Sequence, residues 1–186
     1  MPAANPTPVQ SPAASIPINM NEFQAATECL TKNPNMMECV SALTRINTAI
    51  PLYKLDTKPL IAAFIANSVF QTYTFHTHFA PTVANQPQRA GPFMLTETQY
   101  KEYLVTSQDL VNQYNIYLQT VPSVPANPIL NFLHAKDGPG CTNARSTLDG
   151  TPETFKAWAA SCAGINGDAN LNALTTIFNT VIANIR

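Results

Sequence analysis

The stretch Cys29-Leu30-Thr31-Lys32-Asn33-Pro34-Asn35-Met36-Met37-Glu38-Cys39 decides the fold. Lys32-Asn33-Pro34-Asn35 is a turn signal, because proline fixes φ and asparagine tolerates the left-handed region. Cys29 and Cys39 stand at equal distances on either side of Pro34. With helices on both flanks, the two thiols face each other across a hairpin. That places them inside the ~4.4–6.8 Å Cα separation a disulfide needs. Toward the N-terminus, Asn21 and Gln24 have capping-box spacing, and Phe23, Ala26, Thr27 and Leu30 fall near one helical face. Beyond the turn, Met36, Met37, Val40, Leu43, Ile46 and Ile50 recur at helical intervals until Pro51, which is expected to end the helix.

The same signals continue downstream. Asp56 or Thr57 caps a third helix with Pro59 in its first turn, and Leu60, Ile61, Phe64, Ile65, Val69 and Phe70 give it a wide apolar face. Tyr73-Thr74-Phe75-His76-Thr77-His78-Phe79 alternates with period two and predicts an extended strand. Residues 80–95, with Pro81, Pro87, Gly91 and Pro92, read as a surface loop. Thr96 caps a helix over 97–120. Pro122, Pro125 and Pro128 then interrupt the chain before a short helix over 129–135. Thr151-Pro152-Glu153 starts a helix that carries Phe155, Trp158 and Cys162. Asp168 caps the last helix, whose stripe is Leu171, Leu174, Ile177, Phe178, Val181, Ile182 and Ile185.

Residues 1–20 are rich in Pro, Ala and Ser, and cannot bury enough apolar surface to fold alone. The chain therefore reads as all-α: an irregular bundle of about six helices with a disulfide-stapled hairpin and at most one short strand pair. An extended arm over 1–20 leads into a single helical domain over 21–186.

Composition narrows the function classes. Of 186 residues, 45% are hydrophobic and only 11% charged, with ten Lys+Arg against eleven Asp+Glu. A typical domain is ~25% charged, so Asn, Thr, Ser and Gln must wet this surface. Without a basic excess, nucleic acid and anionic lipid are not expected partners. No stretch reaches the ~18–20 apolar residues of a membrane span. The N-terminus has neither a basic n-region nor an apolar h-region, so it does not read as a secretory signal.

The remaining cysteines, Cys141 and Cys162, are expected to form a second disulfide that closes the Gly138-Pro139-Gly140 loop onto the Trp158 helix. Two such bonds point to an extracytosolic location: secreted, periplasmic or particle-associated. A metal would find its best ligands in His76 and His78, which share one face of a strand, with His134 as a third. No carboxylate is placed to support them, and neither metal nor cofactor is expected. A thiol nucleophile at Cys141, or a carboxylate pair from Glu97 and Glu102 or from Asp137 and Asp149, is the weak enzymatic reading. No catalytic set is assigned.

Four tyrosines over 97–120, Tyr100, Tyr103, Tyr114 and Tyr117, form two i, i+3 pairs suited to core or interface. Together with Pro6, Pro8, Pro12, Ile16 and Ile18 of the arm, they are the expected contacts with neighbouring protein subunits. The leading expectation is a non-enzymatic structural or interaction subunit of a larger assembly: an exported machine, a surface complex or a virus particle. Its alternative is a secreted, disulfide-stabilised helical domain holding a small apolar ligand among Met36, Met37, Phe64, Phe70 or Tyr114. No small-molecule substrate is expected in the leading reading.

Overall fold

The structure is a computed structural model that describes residues 17–52, 54–76, 84–87, 89–90, 95–105, 108–120 and 141–186. These residues are mostly helical. The helices are α1 (Met20–Thr27), α2 (Cys29–Lys32), α3 (Met36–Leu52), α4 (Lys58–Gln71), α5 (Glu97–Leu104), α6 (Gln108–Thr120), α7 (Thr142–Thr147), α8 (Pro152–Cys162) and α9 (Asp168–Asn184). A two-residue antiparallel pair, β1 (Arg89–Ala90) and β2 (Leu95–Thr96), joins the stretch read as loop to Thr96, read as a helix cap, with Arg89 opposite Thr96 and Ala90 opposite Leu95.

Helix α4 is the centre of the bundle. Nine of its 14 residues are buried, from Leu60 through Val69, so it is apolar almost all round, as an enclosed helix should be. Thr57 starts it: the side-chain oxygen accepts the Leu60 N–H, and Pro59 sits in the first turn, where a missing N–H costs nothing. Helix α9 packs along α4 and α1, and α8 packs on α7, α9 and α4. Thr151 caps α8 as its sequence predicts. Phe155 of α8 stacks on Phe178 of α9 with centroids 3.9 Å apart, and Trp158 stacks beside it at 5.8 Å. All three rings are buried.

Several expectations need correction. Asn19, not Asn21, caps α1, in a complete capping box with Glu22. The remaining Glu22 oxygen pairs with the Arg186 guanidinium at 2.7 Å, which ties the last residue to the first helix. The first helix is also broken, because Glu28 adopts a left-handed φ of 53°. Side chains replace the helical ladder there: the Thr27 hydroxyl donates to the Phe23 carbonyl and accepts the Cys29 N–H, while the Gln24 carbonyl oxygen accepts the Leu30 N–H. Such local bonds are how Thr and Gln offer the backbone an alternative to the helix.

Pro51 lies inside α3, one residue before its end. In the last turn, a proline that follows a regular helix removes one ladder bond without stopping the preceding turns. The single helix read over 97–120 is two, α5 and α6, with Val105 in a turn after α5. Gly167 (φ 88°) rather than Asp168 is the residue before α9. Helix α7 was not foreseen. The short helix expected over 129–135 lies outside the described residues.

The predicted strand fails where it can be checked. Residues 72–76 form a turn in which Tyr73, Thr74 and Phe75 are all left-handed, with φ of 50°, 57° and 65°. The Thr72 hydroxyl donates to Ser68 O and accepts the Phe75 N–H, and the Thr74 N–H donates to Val69 O. These bonds fold the chain back over the end of α4. Phe75 is thereby buried against Phe23, with centroids 5.5 Å apart. Over 73–76 the alternation marks the buried Phe75 ring beside an exposed Tyr73, in a turn rather than on a pleated face.

Candidate functional site: a disulfide-locked hairpin and the cleft beside it

The hairpin expected around Pro34 is present. Cys29 opens α2, Cys39 lies in the first turns of α3, and the two are bonded with Cα atoms 5.8 Å apart. Both cysteines are fully buried. Asn33, itself buried, holds the turn from inside: its side-chain oxygen accepts the Asn35 N–H, and its amide nitrogen donates to Thr74 O at 3.3 Å. His76 adds a second tether through Nε2 to Lys32 O at 3.1 Å. The strained turn after α4 is thus fastened to the disulfide hairpin at two points.

The other side of the hairpin is unusual for its exposure. Met36 and Met37 are 63% and 70% exposed, and Leu30 and Val40 are exposed as well. On α3, Val40 stands four residues after Met36 and three after Met37, so each methionine neighbours it on the helix surface.

Between the end of α1, α2, the end of α4, the 72–76 turn and α9 lies a cleft of about 480 Å³. Its apolar lining comes from Ala26, Val69, Phe70 and Ile177; Thr27, Gln71, Thr74, Thr176 and Thr180 supply polar atoms. Glu28 and Lys32 are the charged residues of the lining, and they are paired with each other.

The second pair of cysteines meets in space but is not bonded. Cys141 precedes α7 and Cys162 is the last residue of α8; both are buried and neither is in a disulfide. The Cys162 thiol donates to Cys141 O at 3.6 Å, so a hydrogen bond fills the approach where a disulfide was expected. Hydrogen bonding between the two thiols lowers the Cys141 pKa and raises that of Cys162. Burial denies Cys141 the exposure a nucleophile needs.

The remaining predicted site residues scatter. Among the described residues no group of three His, Cys, Asp or Glu side chains could hold a metal. His76 instead bonds the hairpin carbonyl; His78 and His134 lie outside the described residues, as do Asp137, Pro6, Pro8, Pro12 and Ile16. Ile18 is in the core, with its N–H and carbonyl both bonded to the Asn47 side chain. It is therefore unavailable to a neighbour, and the folded body begins before residue 21. Glu97 pairs with Lys101 one turn on. Asp149 accepts from the Thr151 N–H and from the Thr151 and Thr154 hydroxyls at the start of α8. These bonds hold its pKa down at about 2. It braces the Thr151 cap from the preceding turn.

Of the tyrosines, Tyr114 is half-buried against the core, and the side chains of Tyr100, Tyr103 and Tyr117 are outside the described set. The break between α5 and α6 separates the two i, i+3 pairs. Of the residues proposed to hold an apolar ligand, Phe70 lines the cleft while Phe64 is sealed in the core and Met36 and Met37 face outward. Sequence reading missed the cleft, because left-handed φ values at Tyr73 and Thr74 leave no mark in residue type. Among the described residues, no helix is long and apolar enough to cross a membrane. No protein-family model, curated protein or solved structure matches this chain.

Proposed function

We propose that this protein is a non-enzymatic subunit of a larger protein assembly working outside the cytosol, with its disulfide hairpin as a contact to a neighbouring subunit. The observation that carries this reading is the outward display of Leu30, Met36, Met37 and Val40 on the one part of the fold fixed by a covalent cross-link. Methionine is enriched at protein interfaces, and charged residues are depleted at their centres. A surface with 11% charged residues leaves few ions to desolvate when a neighbour docks. The disulfide removes the ordering cost that a free hairpin would add on binding, and it suits an oxidising compartment. The Pro-rich segment with Pro6, Pro8 and Pro12 serves the same assembly as a docking arm.

The test is size-exclusion chromatography with light scattering on the full chain and on Met36→Glu/Met37→Glu. Both positions are exposed, so the double variant keeps the helical signal. The wild-type mass is expected to exceed 20.2 kDa and the variant mass to fall to it. An oligomer unaffected by the double substitution removes the hairpin from the contact.

A further inference from the structure

We infer that the cleft between α1, α4, α9 and the 72–76 turn is a binding site for a small, uncharged, amphipathic molecule, one with an apolar ring or chain and a hydroxyl or amide group. Three observations lead there. The first is size: about 480 Å³ lies within the ~300–1,000 Å³ of ordinary ligand pockets.

The second is the chemistry of the walls. Val69, Phe70 and Ile177 offer an apolar surface, and Gln71 and Thr74 bring an amide and a hydroxyl. Glu28 and Lys32 neutralise each other, so no unbalanced charge is present to recognise an ionised ligand. An anion or cation would lose its hydration shell there without a partner.

The third is where the backbone is strained. Among the described residues, six non-glycine positions have positive φ: Glu28, Lys54, Tyr73, Thr74, Phe75 and Asn85. Three of them, Glu28, Tyr73 and Thr74, line this one cleft. Strained conformations persist only where the surroundings enforce them, and they gather at ligand-binding sites. Here the enforcement is visible. Asn33 and His76 bond the turn to the hairpin, Phe75 is locked into the core, and Cys29–Cys39 fixes the hairpin itself. The result is a preorganised wall that leaves Tyr73 72% exposed for a ligand to cover.

This inference takes up the alternative expectation of a small apolar ligand, places it in the cleft that Phe70 lines rather than among Met36, Met37 and Phe64, and stands independently of the assembly reading.

The test uses the neutral dye N-phenyl-1-naphthylamine on the full chain, followed by fluorescence, beside the anionic 1-anilinonaphthalene-8-sulfonate. The neutral dye is expected to bind saturably with one equivalent, at least tenfold tighter than the sulfonate. Ile177→Trp and Thr180→Trp fill the cleft from α9 and should each weaken the dye at least tenfold with the circular dichroism unchanged. Thr180 is exposed, so its variant decides the matter if Ile177→Trp fails to fold. Met36→Glu/Met37→Glu should bind as wild type. Absence of saturable binding overturns the site, as does undiminished binding in the folded Trp variants or loss of binding in the methionine variant. Equal affinity for the sulfonate overturns the uncharged class.

Discussion

Thr74 shows how much of this molecule is decided residue by residue. Its φ of 57° costs a β-branched side chain about 1–2 kcal/mol, and glycine would occupy that position freely. Glycine also raises the entropy of the unfolded chain, by about 0.5–1 kcal/mol. Thr74→Gly is therefore expected to stabilise the protein by up to about 1 kcal/mol, read as a higher midpoint in urea; a lower midpoint would mean that the turn carries no strain. Asp149 gives a second residue-level outcome. Its folded pKa of about 2 lies below the ~3.9 of an unfolded aspartate. Its contribution to stability is complete above about pH 4 and is lost as pH falls through about 2. Urea midpoints taken from pH 5 to 2 should fall less steeply in Asp149→Asn than in wild type. Thr151-Pro152-Glu153 announced the Thr151 cap that Asp149 braces, because side-chain identity alone makes it. The left-handed residues were not announced, since the bonds that enforce them come from Asn33 and Thr72.

At the scale of elements, the hairpin was legible and its neighbours were less so. Pro34 between two asparagines, with cysteines equidistant, specifies both the turn and the bond, since every determinant is local. The 97–120 helix was read as continuous because its apolar spacing continues across 105–107. The Thr106-Ser107 pair ahead of Asp109 is a helix-start signal that the periodicity masked. The second disulfide failed for a different reason. Sequence spacing can bring Cys141 near Cys162, but whether they bond or share a proton depends on packing between α7 and α8. Intact-mass analysis after alkylation under denaturing, non-reducing conditions should find two modified thiols, on Cys141 and Cys162, and one bridge between Cys29 and Cys39. Cys39→Ser should cost roughly 2–4 kcal/mol of unfolding free energy; a loss below 1 kcal/mol would mean that the hairpin is held by packing alone.

At the scale of the whole molecule, the described residues build a closed apolar core in a chain of which only 11% is charged. Helix α4 and the Phe155–Phe178 stack lie in the buried core, whereas Met36 and Met37 of α3 are exposed. The all-α class was legible from periodicity and caps. The outward direction of Met36 and Met37 was not, because a methionine at helical spacing reads equally well as core. Ile18 reverses that case: it was assigned to a neighbour, and its bonds to Asn47 place it in the protomer's own body. Truncation to probe the arm should therefore stop at residue 16, keeping Ile18 and the Asn19 cap. The central claim, that this chain is built to be held by other subunits, is tested most directly by sedimentation velocity over a concentration series of the full chain. The account predicts a reversible shift from 20.2 kDa to defined multiples of that mass. A single 20.2 kDa species at every concentration would contradict it.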